Sequence, residues 1–193
     1  MFQKPKIVFL VATFIVLAFG LNKILTPIEN GTQKTISEIK GSAINFIDCK
    51  NQGVFQSKQF SLKFDCPKDY VIYECQNDIN LLSPEELDQK IKNYKTYGDT
   101  LCDGQGKVQI AVSDTTLYRY LAESDDHKYS EKRIFVDANP AIHQIVEYEG
   151  ANQPPYSEFI TFRNNNKYYR IRTLDKEGVG ALNIITESLR FNN

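Results

Sequence analysis

The pattern of apolar and polar positions along the chain starts the folded body near Val54 and divides it into strands and helices. Phe60–Cys66 (FSLKFDC) alternates in this way and stops at Pro67; Tyr70–Gln76 (YVIYECQ) reads as its returning strand around a Pro67-Lys68-Asp69 turn. Ser83-Pro84-Glu85-Glu86 announces a helix: Ser83 caps, Pro84 takes the first helical position, and Glu86 completes a capping box. Leu87, Ile91 and Tyr94 then fall on one face of a helix that ends near Gly98. Lys107–Ser113 (KVQIAVS) is a strand, and Asp114 is placed to cap a second helix, TTLYRYLAE. Glu123–Lys132 lacks apolar periodicity and reads as an exposed charged loop. Arg133–Asp137 is a strand broken by Ala138–Ala141 and resumed as Ile142–Glu149, and Gly150–Pro155 is a loop. A closing helix over Ala181–Ser188 and a short strand at Leu189-Arg190-Phe191 complete the body.

The densest apolar pattern is Phe159–Thr173, FITFRNNNKYYRIRT, a hairpin turning at three asparagines that tolerate left-handed backbone. A turn centred on Asn165 sets Phe159 and Thr161 against Ile171 and Tyr169, and Ile160 and Phe162 against Arg170 and Tyr168. Apolar groups on both sides of this ribbon imply a sheet covered on both faces. Strands outnumber helices and are joined mostly by hairpins. The fold class expected is therefore α+β, an antiparallel sheet with helices on both faces, preceded by an N-terminal hydrophobic helix.

That preceding segment is Ile7–Leu21 (IVFLVATFIVLAFGL), fifteen residues without a charge. As a helix it covers roughly 22 Å of the ~30 Å hydrocarbon core, and Ile24-Leu25 extend it. It reads either as a signal peptide, with Ala18-Phe19-Gly20 as the cleavage site, or as an uncleaved single-span anchor through residues 7–25. A buried core strand is the alternative that needs no membrane. Lys4 and Lys6 hold the N-terminus inside, so both membrane readings put the body outside the cytoplasm. The chain thus divides into residues 1–25, a polar linker 26–53 in which Ile36, Ile39, Ala43 and Ile47 trace a short helix, and a folded domain 54–193. Asn30-Gly31-Thr32 is a glycosylation sequon by spacing.

The formal charge of −1 becomes −4 without Lys4, Lys6 and Lys23, 20 basic residues against 24 acidic ones. An acidic body argues against nucleic acid as a partner. Four cysteines, Cys49, Cys66, Cys75 and Cys102, are an even count in an exported body and point to disulfides. If Cys66 and Cys75 lie on paired strands around the Pro67 turn, they are about four residues out of register, roughly 13 Å apart, too far for a bond. Cys49–Cys66 with Cys75–Cys102 is then the favoured pairing. Zinc is the competing reading of four cysteines, but no CxxC exists and the spacings fit no common finger.

Several stretches, taken in order, resemble the PsbP-like family. They are Phe60–Tyr70 (FSLKFDCPKDY), the small-Pro-Ala turn Asp137–Ala141, the strand Asn166–Ile171 (NKYYRI) and the tail Ile185–Phe191 (ITESLRF). Tyr70 departs from the pattern where a Trp is usual, and so does the helix after Pro84. The resemblance implies an αβα sandwich over about Val54–Phe191 and an accessory or binding role without catalysis.

Candidate chemistry is thin. His127 and His143 are the only histidines; Asp125-Asp126-His127 offers metal ligands on a loop, though a solvated loop explains it, and His143 sits on a strand. No GxSxG elbow supports a hydrolase triad. Gly104-Gln105-Gly106-Lys107 precedes a strand, the wrong context for a phosphate loop. Arg163, Lys167, Arg170 and Arg172 gather around Tyr168 on the hairpin, and Tyr168, Arg170 and Arg172 form a candidate site for an acidic ligand. In the register above Glu158 stands opposite Arg172, so cross-strand pairing competes with ligand binding. The resulting expectation is a monomeric extracytoplasmic binding domain for a protein or envelope component, tethered or secreted, using no metal or cofactor. The alternatives are a secreted hydrolase built on His143 or His127, and a stalk that self-associates through Ile36–Ile47.

Overall fold

A computed structural model describes residues 44, 46–97, 101–102, 106–115, 127–148 and 155–192. All belong to a compact unit, Lys40–Asn193; the other unit, Met1–Ile39, lies outside the described residues. So do the apolar segment 7–25, the sequon, most of the Ile36–Ile47 stripe, residues 116–123 of the expected helix and Asp125-Asp126.

Among the described residues thirteen elements follow one another: β1 (Phe46–Asp48), β2 (Val54–Ser57), β3 (Leu62–Asp65), β4 (Val71–Glu74), β5 (Asp78–Leu82), α1 (Pro84–Tyr97), β6 (Val108–Ser113), β7 (His127–Val136), β8 (Asn139–Tyr148), β9 (Tyr156–Asn164), β10 (Lys167–Thr173), α2 (Val179–Ser188) and β11 (Arg190–Phe191). Eight strands form one antiparallel sheet in the order β1-β4-β5-β6-β10-β9-β8-β7, and β11-β3-β2 form a second.

This is not the expected αβα sandwich with helices on both faces. Among the described residues only two helices occur, of 14 and 10 residues, and strand predominates. The reason lies at Pro67. The sequence reading pairs Phe60–Cys66 with Tyr70–Gln76, yet β3 pairs with β2 and β11, and β4 pairs with β1 and β5. The chain leaves one sheet and enters the other across that turn, where Asp69 takes a positive φ of 65°. The core face of the large sheet is therefore covered by a small sheet together with α2. Ile72, Ile79, Leu81, Ile110, Ile160 and Ile171 share one apolar cluster with Phe55, Leu62 and Phe64 of the small sheet and Leu182 and Ile185 of α2. Alternation in β2 and β3 matches this one-sided cover. Strand β1 lies inside the segment read as linker and extends the sheet ahead of Val54.

Strands β4 and β5 are buried on both faces. Their second face, with Val71, Tyr73 and Leu82, lies at the end of the sheet where α1 contacts β5 and buries Leu87 and Ile91. The capping box forms as the sequence indicates: the Glu86 amide donates to Ser83 Oγ (3.3 Å) and the Ser83 amide to Glu86 Oε2 (2.8 Å).

Two tight hairpins set the far half of the sheet. Asp137 and Ala138 (φ 45° and 63°) join β7 to β8, and Asn165 and Asn166 (φ 47° and 63°) join β9 to β10. Two consecutive positive-φ residues match the twist of the flanking strands. The second turn is thus two residues long rather than centred on Asn165, and the pairing slips by one from the sequence reading. Ile160 and Phe162 oppose Ile171 and Tyr169 on the core face, where the Phe162 and Tyr169 rings stack at 5.3 Å. Thr161 and Phe159 oppose Arg170 and Arg172 on the other. A one-residue slip exchanges every side chain between faces, and this one puts the greasy set inward.

The stretch read as a charged loop supplies the first part of β7: His127–Lys132 runs as edge strand, and charged side chains on an edge strand discourage edge-to-edge association. Disulfides join Cys49 to Cys66 (Cα–Cα 5.2 Å) and Cys75 to Cys102 (5.9 Å). The pairing agrees with the sequence reading although its premise fails, because Cys66 and Cys75 flank strands of different sheets. Two disulfides in a body of this size mark an oxidising, extracytoplasmic compartment. Among the described residues no helix is long and apolar enough to cross a membrane.

Candidate functional site

Strand β10 lies between β6 and β9 near the middle of the large sheet. Its alternation sends Tyr169, Ile171 and Thr173 into the core and leaves Tyr168, Arg170 and Arg172 together on the opposite face. Register fixes their neighbours. Arg172 lies between Gln109 of β6 and Phe159 of β9, Arg170 between Ala111 and Thr161, and Tyr168 between Ser113 and Arg163. One strand further out, Asn80 opposes Gln109 and Asp78 opposes Ala111.

The lower half of this face is tied together by hydrogen bonds. Arg172 Nε donates to Gln109 Oε1 (2.8 Å), Gln109 Nε2 to Asp78 Oδ2 (3.1 Å), and Asn80 Nδ2 to Asp78 Oδ1 (2.5 Å). Burial, reinforced by the like charge of Arg170, pulls the Arg172 guanidinium down to about 10 against the pull of Asp78. Burial likewise raises the Asp78 carboxyl, with Asn80, Arg172 and Gln109 opposing it. Arg170 has no such support. Burial lowers its guanidinium, and its Nε is enclosed without a hydrogen-bond acceptor among the described residues. Glu158, the partner read from sequence for Arg172, opposes Thr173 and lies on the core face.

Glu158 instead belongs to a buried cluster with His143 and Tyr156. His143 Nε2 lies 2.5 Å from Glu158 Oε1, and Tyr156 Oη donates to the other carboxylate oxygen. Burial alone would raise the Glu158 carboxyl; the hydrogen bonds from His143 and Tyr156 outweigh it and hold the group below its usual value. Burial, and then the Glu158 carboxylate, push the Tyr156 phenol up. With its ring nitrogen committed to Glu158 in the interior, His143 is accounted for as a satisfied buried histidine. His127 opposes Tyr148 while His143 opposes Lys132, five residues along β7 and therefore about 17 Å away. The two histidines do not meet.

The glycine-rich stretch also has a packing explanation. A Cβ at Gly106 would meet the Leu81 carbonyl oxygen at 2.3 Å, so glycine is required by a close backbone approach. Lys107 beside it is paired with Asp175 (3.0 Å) and Glu177 (2.7 Å). No group of three metal-ligating side chains occurs among the described residues.

The sequence reading brought together Tyr168, Arg170 and Arg172 and missed Asp78, Asn80 and Gln109. Polar residues set between apolar ones in KVQIAVS and NDINLL were the available signal. A cleft of about 560 Å³ opens between the β4–β5 turn, the end of β6 and the start of β10; Phe60, Asn77, Asp114 and Lys167 are among its walls, and Tyr168, Arg170 and Arg172 are not. No family model and no curated protein matches the chain.

Proposed function

We propose that this domain is a non-catalytic binding module working outside the cytoplasm, where it grips an anionic group of a protein or envelope component with Arg170 and Arg172. The observation that carries the reading is the Arg170 Nε, buried with no acceptor among the described residues, on a face where Asp78 is the one described carboxylate near the two half-buried guanidinium groups. A buried donor without a partner costs on the order of 1–3 kcal/mol, more when charged. A carboxylate or phosphate placed there recovers that cost and makes the bidentate contact that guanidinium geometry favours. Tyr168 supplies a hydroxyl at the open end of the same row. The apolar segment 7–25 either tethers the module to the membrane or is removed when it is released.

Thermal unfolding of the full chain in detergent micelles, with sodium acetate or sodium phosphate against sodium chloride at equal ionic strength, tests this. At tenfold excess over Kd a bound anion adds about 1.4 kcal/mol, a rise of a few degrees in Tm. The rise is expected in the native chain and absent in R170Q/R172Q. An equal rise in both, or none in the native chain, overturns the proposal.

A further inference from the structure

The face that carries Arg170 continues past it, away from Asp78, to the β7 edge of the sheet. Register places Arg170 opposite Thr161, Thr161 opposite Ile142 and Ile142 opposite Arg133. One row across β10, β9, β8 and β7 thus begins and ends with an arginine and has Thr161 and Ile142 between. The next row toward the hairpin turns pairs Tyr168 with Arg163 and Pro140 with Phe135. Alternation along β7 fixes the side: Ile134 and Val136 pack with the core cluster, so Arg133 and Phe135 share the opposite face with Arg170. This part of the face is open. Arg133, Pro140 and Arg163 are exposed, Ile142, Thr161, Tyr168 and Arg170 are half-buried, and Phe135 is 73% exposed.

Its unspent charge is positive. The Arg133 side chain makes no hydrogen bond or ion pair among the described residues. Arg163 lies over the Tyr168 ring at 5.4 Å and donates to Asn166 Oδ1 at 2.8 Å, so neither contact neutralises it. Glu131, two positions before Arg133 on the same face, already accepts from Gln144 (3.1 Å) and from the Tyr129 hydroxyl. A second copy of the chain laid here about a two-fold axis would set this basic patch against itself. An anionic bilayer is repelled by a body with 20 basic residues against 24 acidic ones outside Lys4, Lys6 and Lys23. An extended acidic chain fits. Residues i and i+4 of a strand lie about 14 Å apart on one side, which matches the three strand spacings of about 4.8 Å between Arg133 and Arg170. In a helix the same pair is only about 6 Å apart. Residue i+2 then falls over Ile142 and Thr161, with Phe135 and Pro140 alongside to meet an apolar side chain. Arginine and exposed aromatic side chains together are the composition of protein-recognition surfaces. We infer that the anion on Arg170 belongs to an acidic, extended segment of a partner protein, which crosses from β10 to β7, sets a second acid four residues away on Arg133 and carries an apolar residue between the two. This rests on the anion-binding reading above and adds to it the class of partner and the spacing of its charges.

The full chain in neutral detergent micelles is titrated with acetate and with two capped peptides of one composition. Ser-Glu-Ser-Leu-Ser-Glu-Ser has its glutamates four residues apart; Ser-Glu-Glu-Leu-Ser-Ser-Ser has them adjacent. Dissociation constants are read from chemical shifts. The first peptide is expected to bind about tenfold more tightly than acetate and several-fold more tightly than the second, because its far contact becomes intramolecular once the near one is made. R133Q and F135S, both changes of exposed side chains, should each remove most of that gain and leave acetate unchanged. R170Q should weaken acetate and peptide alike; R170K, which keeps the charge but not the planar fork, should do so by a smaller factor and serves if R170Q does not fold. If the two peptides bind alike, or if R133Q keeps the whole gain, the segment inference falls while the anion site stands. If acetate binds independently of Arg170, both fall. A parallel series in micelles doped with phosphatidylserine covers the membrane: lipid-dependent shifts at Arg133 and Phe135, in a chain that binds neither peptide, overturn the inference.

Discussion

Arg170 stands directly across from Thr161, not from Ile160, and that one-residue difference decides what the face of the sheet can do. With Ile160 opposite, the guanidinium would sit in an apolar ladder and Arg172 would have Glu158 as a mate. In the register observed Glu158 points into the core toward His143, and among the described carboxylates nearby the two arginines share a face with Asp78 alone. The site exists because the turn is two residues long.

The turn should therefore be sensitive to backbone propensity. Asn166 holds φ at 63°. Asn166→Gly, which suits this turn better, is expected to stabilise the body by up to about 1 kcal/mol, and Asn166→Val to destabilise it by about 1–2 kcal/mol. Urea denaturation midpoints at unchanged slope would show both effects.

The buried His143–Glu158–Tyr156 cluster should show in the acid limb of stability. The Glu158 carboxyl lies below its unfolded value of about 4.3 in the folded protein, so its contribution is complete above that value. It is lost as pH falls through the lower, folded value. Glu158→Gln should flatten this part of a stability-against-pH curve. His143→Ala, which leaves the carboxylate buried without its partner, is expected to cost about 3 kcal/mol at neutral pH. An acid limb unchanged in the Gln variant would remove the cluster from the account.

Each disulfide should stabilise through the loop it closes. Sequence separations of 17 and 27 residues correspond to about 3 and about 3.5 kcal/mol in the chain-entropy model. Cys75→Ser/Cys102→Ser should therefore lower stability slightly more than Cys49→Ser/Cys66→Ser. The oxidised chain unfolded without reductant should titrate with no free thiol.

Anion affinity should depend on pH at the alkaline end. Arg172 is depressed to about 10, so its charge fades as pH rises through that value. Acetate binding is expected to hold between pH 6 and about 9 and to decline above about 10. For an ordinary surface arginine the affinity would persist past pH 12.

Several strands were legible because their signals are local: period-two alternation marked β3, and runs rich in Phe, Ile, Tyr and Thr around three asparagines marked β9 and β10. The capping residues Ser83 and Glu86 did the same for α1. Sheet membership was not legible. Whether Cys66-Pro67-Lys68-Asp69 is a hairpin or a crossing between sheets depends on what covers the large sheet, which no short window contains. The loop reading of His127–Lys132 failed for a related reason, since an edge strand carries its charges for protection and shows no apolar period. The candidate site was half visible. Three residues of β10 declared themselves by charge and spacing, but their neighbours Gln109, Asp78 and Asn80 come from β5 and β6, joined to β10 only by register.

The guanidinium Nε–Hε signals of Arg170 and Arg172, followed by nitrogen–proton correlation spectra of the full chain while acetate is added, test the central claim most directly. The Arg170 Nε–Hε resonance should move downfield and saturate, with a smaller shift at Arg172, whose Nε already donates to Gln109. If the Arg170 signal stays in place at saturating acetate while exposed Arg163 moves instead, the buried pair is not the anion site.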